Sequence, residues 1–494
     1  MARILPAMVV ALGLQSVAAP QLTPAPAVLS PPPIALVTSQ AYLKASNTGL
    51  VDLFGQAVAM SGDTLVVGAM EEDSLATGVN GDQANDGAPS SGAAYVFVRT
   101  GTSWSQQGYI KASNTNAEDA FGTAVAVSGD TIVVGAWLED SSSTGVGGPQ
   151  GNDPFEASGA GTAYVFERQG GTWSQSSYLK ASNTGSADTF GSTVAICGDT
   201  VVVGAPDEAS QATGVGGDQA DDSAYGAGAA YVFLRHGGSW VQQAYLKASN
   251  TDAGDHFGGS LALCGNLLVV GAADESSDAT GVDGDGDDDS APEAGAAYVF
   301  ARNGATWSQL AYLKGSSTDA MDYFGQGVAL AGDTVVAGAP WEDSQAIGIG
   351  GDSTDDSLSG AGAAWAFDLG LDPWSDLGFA LAGVNGLPDL AGTGTLEAGS
   401  PGALTLAHAN ASAPALLFVS LSGTPTPFKG GTLVPVPVAF SLGLLTDAAG
   451  IASLPFVWPA GVPDALPLYF QCAILDPAVP QGVALSNALL AVTP

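Results

Sequence analysis

At 494 residues the chain is long for a single hydrophobic core and points to more than one domain. It is 46% hydrophobic, 12% charged and carries 68 glycines, which excludes a disordered chain and suits many short strands joined by turns. Against 49 acidic residues stand 11 basic ones, a formal charge of -38 that repels nucleic acid and anionic lipid. Such a field attracts divalent cations or basic partners, or simply keeps a secreted protein soluble.

Residues 1–19 read as a secretory signal peptide: Arg3, an apolar run from Ile4 to Leu14, then small residues at Ser16 and Ala18. The run is too short to cross a bilayer and no other long apolar stretch follows, so no transmembrane segment is expected after cleavage. Residues 20–39 form a proline-rich, extended linker.

From 40 to 369 the sequence repeats. A Phe-Gly pair recurs at Phe54, Phe121, Phe190, Phe257 and Phe324, in steps of 67, 69, 67 and 67 residues. Each pair opens a phrase such as "FGTAVAVSGDTIVVGA", followed by an acidic insertion, "GTAYVFER" and "WSQSSYLKASNT". Alternation and β-branched residues predict four strands per unit, the first two joined by a tight turn of the Ser128-Gly129-Asp130 type. One unit cannot bury its apolar face alone, so the copies must pack on one another; four antiparallel strands repeated in this way make a five-bladed β-propeller.

Nine of the eleven basic residues fall at repeat positions: Lys44, Lys111, Lys180, Lys247 and Lys314 after "YLK" or "YIK", and Arg99, Arg168, Arg235 and Arg302 after the aromatic strand. Periodic lysines suit scaffolding, each bridging to an acidic neighbour in the next blade. "QAYLKASNT", around Lys44, has the sequence of a fourth strand with no blade of its own, whereas the fifth repeat loses its pattern after Phe367. Residues 40–46 are therefore expected to complete the fifth blade and close the ring, with Trp374–Leu381 as the competing strand.

Residues 372–494 are apolar, proline-punctuated and nearly uncharged, with short alternating runs that predict an antiparallel β-sandwich. Cys197 and Cys264 occupy matching repeat positions and Cys472 stands apart, so free buried thiols are expected, with a Cys197–Cys264 pair as the alternative.

The "FG…VVGA" phrase followed by "GAAYVF" resembles the FG-GAP repeat of integrin α-subunit propellers and of bacterial secreted proteins. The tail resembles a β module found behind secreted repeat proteins. The resemblance implies a β-propeller engaged in extracellular adhesion and ligand binding. Integrin propellers have seven blades, and their calcium loops join the first and second strands; here that connection is only "SGDT", too short for the six to eight or so oxygens calcium takes.

The acid lies instead between the second and third strands. Candidate calcium ligands are Asp82 and Asp86 in the first repeat, Asp218, Asp221 and Asp222 in the third, Asp283, Asp285, Asp287 and Asp289 in the fourth, and Asp352, Asp355 and Asp356 in the fifth. The second repeat deviates, with Pro149 at the first acidic place and Asn152-Asp153 at the last. "DGDGDDDS" begins like an EF-hand, but Asp288 replaces its glycine and Ala294 its glutamate, which excludes one. The alternative is a solvated loop tied by Asx turns. In a propeller these loops and the "ASNT" loops share one face.

Catalytic signals are weak: His236, His256 and His408 have no triad or zinc spacing, and the acidic loops are near-copies of one another. His256 reads as an exposed loop residue. Trp137 and Trp341, near the roots of the acidic loops, suit glycan stacking or packing between blades. The expected function is a secreted or cell-surface binding and adhesion protein, calcium-assisted, whose acidic face takes an extracellular protein or glycan. A polysaccharide-acting enzyme and a purely structural surface protein are the alternatives.

Overall fold

A computed structural model describes residues 39–152, 155, 157–369, 374–394, 396, 400–429, 431–458, 466–480 and 482–492. The expected signal peptide and nearly all of the expected linker, like Asp153, lie outside the described residues. The chain divides into two compact units, one holding the repeats as far as Phe367 apart from Ala331–Asp333, and the other holding those three residues together with the chain from Asp368 onward.

Each of the first four repeats is one antiparallel sheet of four consecutive strands. In the first these are Val58–Ser61, Thr64–Ala69, Ala93–Thr100 and Ser103–Ile110. Among the described residues the fifth has three: Gly327–Ala331, Thr334–Ala339 and Ala363–Asp368. Ser61 pairs with Thr64, leaving a two-residue turn in which Gly62 takes φ 57°, a conformation glycine adopts without steric cost.

Blades pack face to face. Val66, Ala94 and Val96 of the first blade form one core with Phe121, Ile132, Val134 and Tyr164 of the second. Phe121 stands edge-on to Tyr164, with ring centroids 5.3 Å apart. Burying each such large side chain contributes about 1.5–3 kcal/mol. The recurrent glycines explain how close the blades come. A Cβ on Gly135 would lie 1.9 Å from the carbonyl oxygen of Gly191 in the following blade, and one on Gly271 would lie 2.0 Å from that of Gly325. The "GA" and Phe-Gly glycines are thus two sides of one backbone contact.

Two expectations fail here. Residues 40–46 form no strand, and Trp374–Gly378 joins a sheet of the second unit, so neither completes the fifth sheet. Instead Leu43 and Ala45 pack on Tyr95 and Phe97 of the first blade, and Trp104 donates its indole N–H to Gln40. The downstream "ASNT" loop is held by the blade that follows it, and this docking prevails over strand pairing for 40–46.

The second unit is all antiparallel. A sheet ordered Trp374–Gly378, Ala488–Val492, Pro467–Leu475, Pro414–Ser420, Phe440–Leu445 faces one of Asp389–Thr393, Pro401–Ala407 and Ala452–Val457. Both contribute to a core that includes Trp374, Leu404, Leu417, Phe456 and Phe470. Buried Gln471 is satisfied by backbone, accepting from Val434 N–H and donating to the Thr432 and Ser486 carbonyls. The three cysteines are free.

Replacing Gly135 by alanine should force the second and third blades apart and cost about 1–3 kcal/mol. A fall in the midpoint of urea unfolding checks this, and an unchanged midpoint would refute the contact.

Candidate functional site

The ends of the strands on the acidic-loop side carry a buried polar network that repeats four times. Glu72, Glu139, Glu208 and Glu275, just after the second strands, are buried, as are Lys111, Lys180, Lys247 and Lys314. They pair at 2.9, 3.2, 2.9 and 2.8 Å. Each pair lies within one blade, not between neighbours as expected, because the fourth strand returns its lysine beside the second-to-third connection of its own sheet.

Each carboxylate takes further donors. Tyr109, Tyr178, Tyr245 and Tyr312 donate hydroxyls to it at 2.8 Å. Backbone N–H groups of Ser74, Ser141 and Ser210 reach the first three. The link to the neighbouring blade is the asparagine of "ASNT". Asn114 donates to Glu139 at 2.8 Å and accepts from the Tyr164 hydroxyl, and Asn47, Asn183 and Asn250 repeat this. Burial lowers the proton affinity of the lysines, while the adjacent glutamate works against that.

A second periodic acid escaped the sequence reading: Asp52, Asp119, Asp188, Asp255 and Asp322, two residues before each Phe-Gly phenylalanine. Each accepts a backbone N–H three residues upstream, such as Asn116 N–H at 2.8 Å for Asp119. Burial pushes Asp119 up to about 8, Asp188 and Asp255 to about 7 and Asp322 to about 6, from an ordinary 3.8. The constant offset from Phe-Gly was the available signal.

Half of the twelve predicted calcium ligands fold into Asx turns. Asp82, Asp218, Asp285, Asp352 and Asp355 each accept the N–H two residues on, and Asp221 accepts Ser223 N–H and Gln211 N–H. Asp283 caps Tyr312 N–H of the fourth strand at 2.9 Å. Asp86, Asp222, Asp287, Asp289 and Asp356 lie in the same loops and are all exposed. Among the described residues no group of three or more Asp, Glu, His or Cys is placed to hold a metal ion. The "ASNT" loops do meet the acidic loops of the following blade: Ser113 donates to Gln150, and Asn250 to the Gly286 carbonyl.

His256 is not a free loop residue. Its Nδ1 lies 2.5 Å from Asp274 and its Nε2 3.3 Å from Asp207, so it bridges two blades. The hydrogen bonds to Asp207 and then Asp274 raise its pKa to about 10, against burial, and hold it as an imidazolium, unsuited to act as a general base. Arg99, Arg168 and Arg302 stack on Trp104, Trp173 and Trp307 and bond to the first turn of their blades at Asp63, Asp130 and Asn266.

Repeated blades, glycine contacts and a four-fold buried network define a propeller-type repeat protein. The family model described as "FG-GAP repeat" matches residues 37–97, 104–166, 173–233, 240–300 and 307–367, and the chain belongs to that family. No curated protein matches the sequence. Among solved structures, the chain is similar to the ectodomain of the parainfluenza virus 5 hemagglutinin-neuraminidase, at 7% identity and a TM-score of 0.29, over 88% of this chain and 79% of that one. A second, the Escherichia coli alpha-2-macroglobulin activated by porcine elastase, aligns at 9% identity and a TM-score of 0.15, over 89% of this chain and 43% of that one.

Lys180→Met should strand the buried Glu139 and destabilise the chain by about 3–5 kcal/mol, whereas pairing it with Glu139→Leu should recover much of that. Urea unfolding of the three variants measures the difference. Because burial raises Asp119, Asp188, Asp255 and Asp322 above their ordinary value in the folded state, their contribution to stability is fully present below about pH 4 and is lost as pH rises towards 8. His256, raised to about 10, likewise contributes stability that is lost as pH rises above its ordinary 6.5. Asp119→Asn should therefore flatten the decline in melting temperature between pH 5 and 8.5; an unaltered slope would contradict the assignment.

Proposed function

We propose that this is a secreted or cell-surface binding protein that takes an extracellular protein or glycan on its acidic-loop face, with calcium ordering the loops. The observation that supports it is uncompensated negative charge on that face. Asp252 is raised by burial and then by the charges of Asp289 and Asp287. Burial and then Asp356 and Asp343 do the same to Asp319. Carboxylates that raise one another's proton affinity gain by acquiring a cation, and hard oxygen donors in glycine-rich loops suit calcium. Asp285, Asp287 and Asp289 of the fourth loop are its richest cluster, all exposed. Asp82, Asp86, Asp218, Asp221, Asp222, Asp283, Asp352, Asp355 and Asp356 are the remaining candidate ligands.

Trp341, 60% exposed at the root of the fifth acidic loop, offers an aromatic face to a sugar or an apolar side chain. Against catalysis stands the uniformity of the four buried Glu–Lys networks. A catalytic carboxylate pair needs unequal environments, and these are near-identical.

Calcium titration calorimetry on the full chain, with melting curves in calcium and in chelator, tests the proposal. Micromolar to millimolar binding, a raised melting temperature, and loss of part of the heat in an Asp285→Asn, Asp287→Asn, Asp289→Asn variant are expected. The absence of both heat and shift would remove calcium from the account.

A further inference from the structure

The fifth blade lacks what the other four contain. Glu342 occupies the place of Glu72, Glu139, Glu208 and Glu275 and is 4% exposed. It accepts Ser344 N–H as its counterparts do. Among the described residues no lysine, tyrosine hydroxyl or asparagine reaches its carboxylate. Ser317 stands where the asparagine should be, and its hydroxyl is buried without a hydrogen-bond partner. A buried carboxylate with one backbone donor is a costly arrangement that calls for a cation.

Among the described residues none fills the place of a fourth strand either. In the internal blades that strand lies between the third strand and the acidic loop, where Val79 bridges Ile110 and Val282 bridges Leu313. In the fifth, Ala363–Phe367 has a strand partner on one side only among the described residues, and Ile349, the counterpart of Val79, is fully exposed, with Ile347 at 92%. The outer face of this blade is bare as well: Val336 is 36% exposed where Val66, Val133, Val202 and Val269 are wholly buried. A Cβ on Gly338 would find its nearest atoms at 3.8 Å, whereas at its internal counterparts it would strike the next blade's backbone.

At the other end of the repeats stand the matching parts. Tyr42, Leu43 and Lys44 align with Tyr109-Ile110-Lys111; Tyr42 is 86% exposed and Lys44 is exposed. Val58, 64% exposed, is the counterpart of buried Val125, and Gly55 has no atom within 4 Å of a built Cβ.

We propose that a second copy of this chain supplies the fifth sheet's missing strand, seating its residues 39–44 between Ala363–Asp368 and the Ile347–Ile349 loop and delivering Lys44 and Tyr42 to Glu342. By the internal register, Tyr42 pairs with Trp365 and Leu43 with Ala364, as Tyr109 does with Tyr95 and Ile110 with Ala94. The donor segment need not leave its own first blade. In every internal blade the same stretch pairs with one sheet while its asparagine is held by the next, as Tyr178 pairs with Tyr164 while Asn183 reaches Glu208. Within one chain this segment is docked on the first blade and both complementary faces stay exposed, which points to a second molecule. The contact joins unlike faces, so it propagates head to tail.

Sedimentation velocity of the full chain over a range of concentrations tests this. Wild type should associate as concentration rises. Lys44→Glu and Glu342→Lys should each weaken association by more than about 100-fold, and mixing the two variants should restore head-to-tail association in alternating order, because each junction between unlike variants again pairs a lysine with a glutamate. Gly338→Val fills a space that is empty in the monomer, so it should block association while the melting temperature of the dilute chain holds. A chain that stays monomeric at all concentrations would overturn the proposal. So would association that survives all three substitutions. A monomer that each charge variant destabilises and the double variant restores would place the strand within one chain, and equally overturn it.

Discussion

A carboxylate buried at the end of an apolar sheet is tolerable only when donors surround it, and this requirement organises the repeats. Glu139 draws a lysine and a tyrosine from the fourth strand of its own blade, and an asparagine from the loop that precedes that blade. Those three segments are far apart in sequence. Satisfying one charge therefore fixes where the fourth strand ends, where the next loop begins and how one sheet approaches its neighbour. The network also explains why so acidic a chain keeps a lysine in nearly every repeat.

The glycines set the distance at which this happens. Sheets meet backbone to backbone where Gly135 faces Gly191 and Gly204 faces Gly258, which leaves room for Phe190 and Phe257 to insert edge-on against the tyrosines. Each blade thus depends on its immediate neighbours and on nothing more distant, the arrangement expected of quasi-one-dimensional repeats. Its consequence falls on the terminal blades. Faces and edges that are buried internally are left open at Val58 in the first and Val336 in the fifth. The acidic loops lie outside this scaffold, tied by local turns at Asp218 and Asp352, so their charge can serve binding without bearing on blade packing.

Much of the fold was legible because its signals are periodic. The Phe-Gly spacing, the alternation in "TIVVGA" and the two-residue turns gave the sheets and their order. The lysine period announced a scaffolding role, but not the partner. Lys111 reaches Glu72 of its own blade because the hairpin folds back across 39 residues, and which of several acidic residues lies opposite depends on the length of a loop. His256 looked free because its partners, Asp207 and Asp274, lie in two different acidic connections. The mismatch between the ends, "QAYLKASNT" before the first Phe-Gly pair and no lysine after Phe367, was plain in the sequence. That residues 40–48 dock on the first blade was not, because Asn47 and Gln40 are held by residues up to 64 positions away.

Hydrogen exchange on the dilute chain tests most directly the claim that a blade is secured by its filled network and paired edge. The third strands of the four complete blades, such as Thr162–Gln169 and Ala229–His236, should exchange slowly and to a similar extent. Ala363–Phe367, beside Glu342 and with one strand partner among the described residues, should exchange many times faster. Equal protection across all five strands would contradict the account.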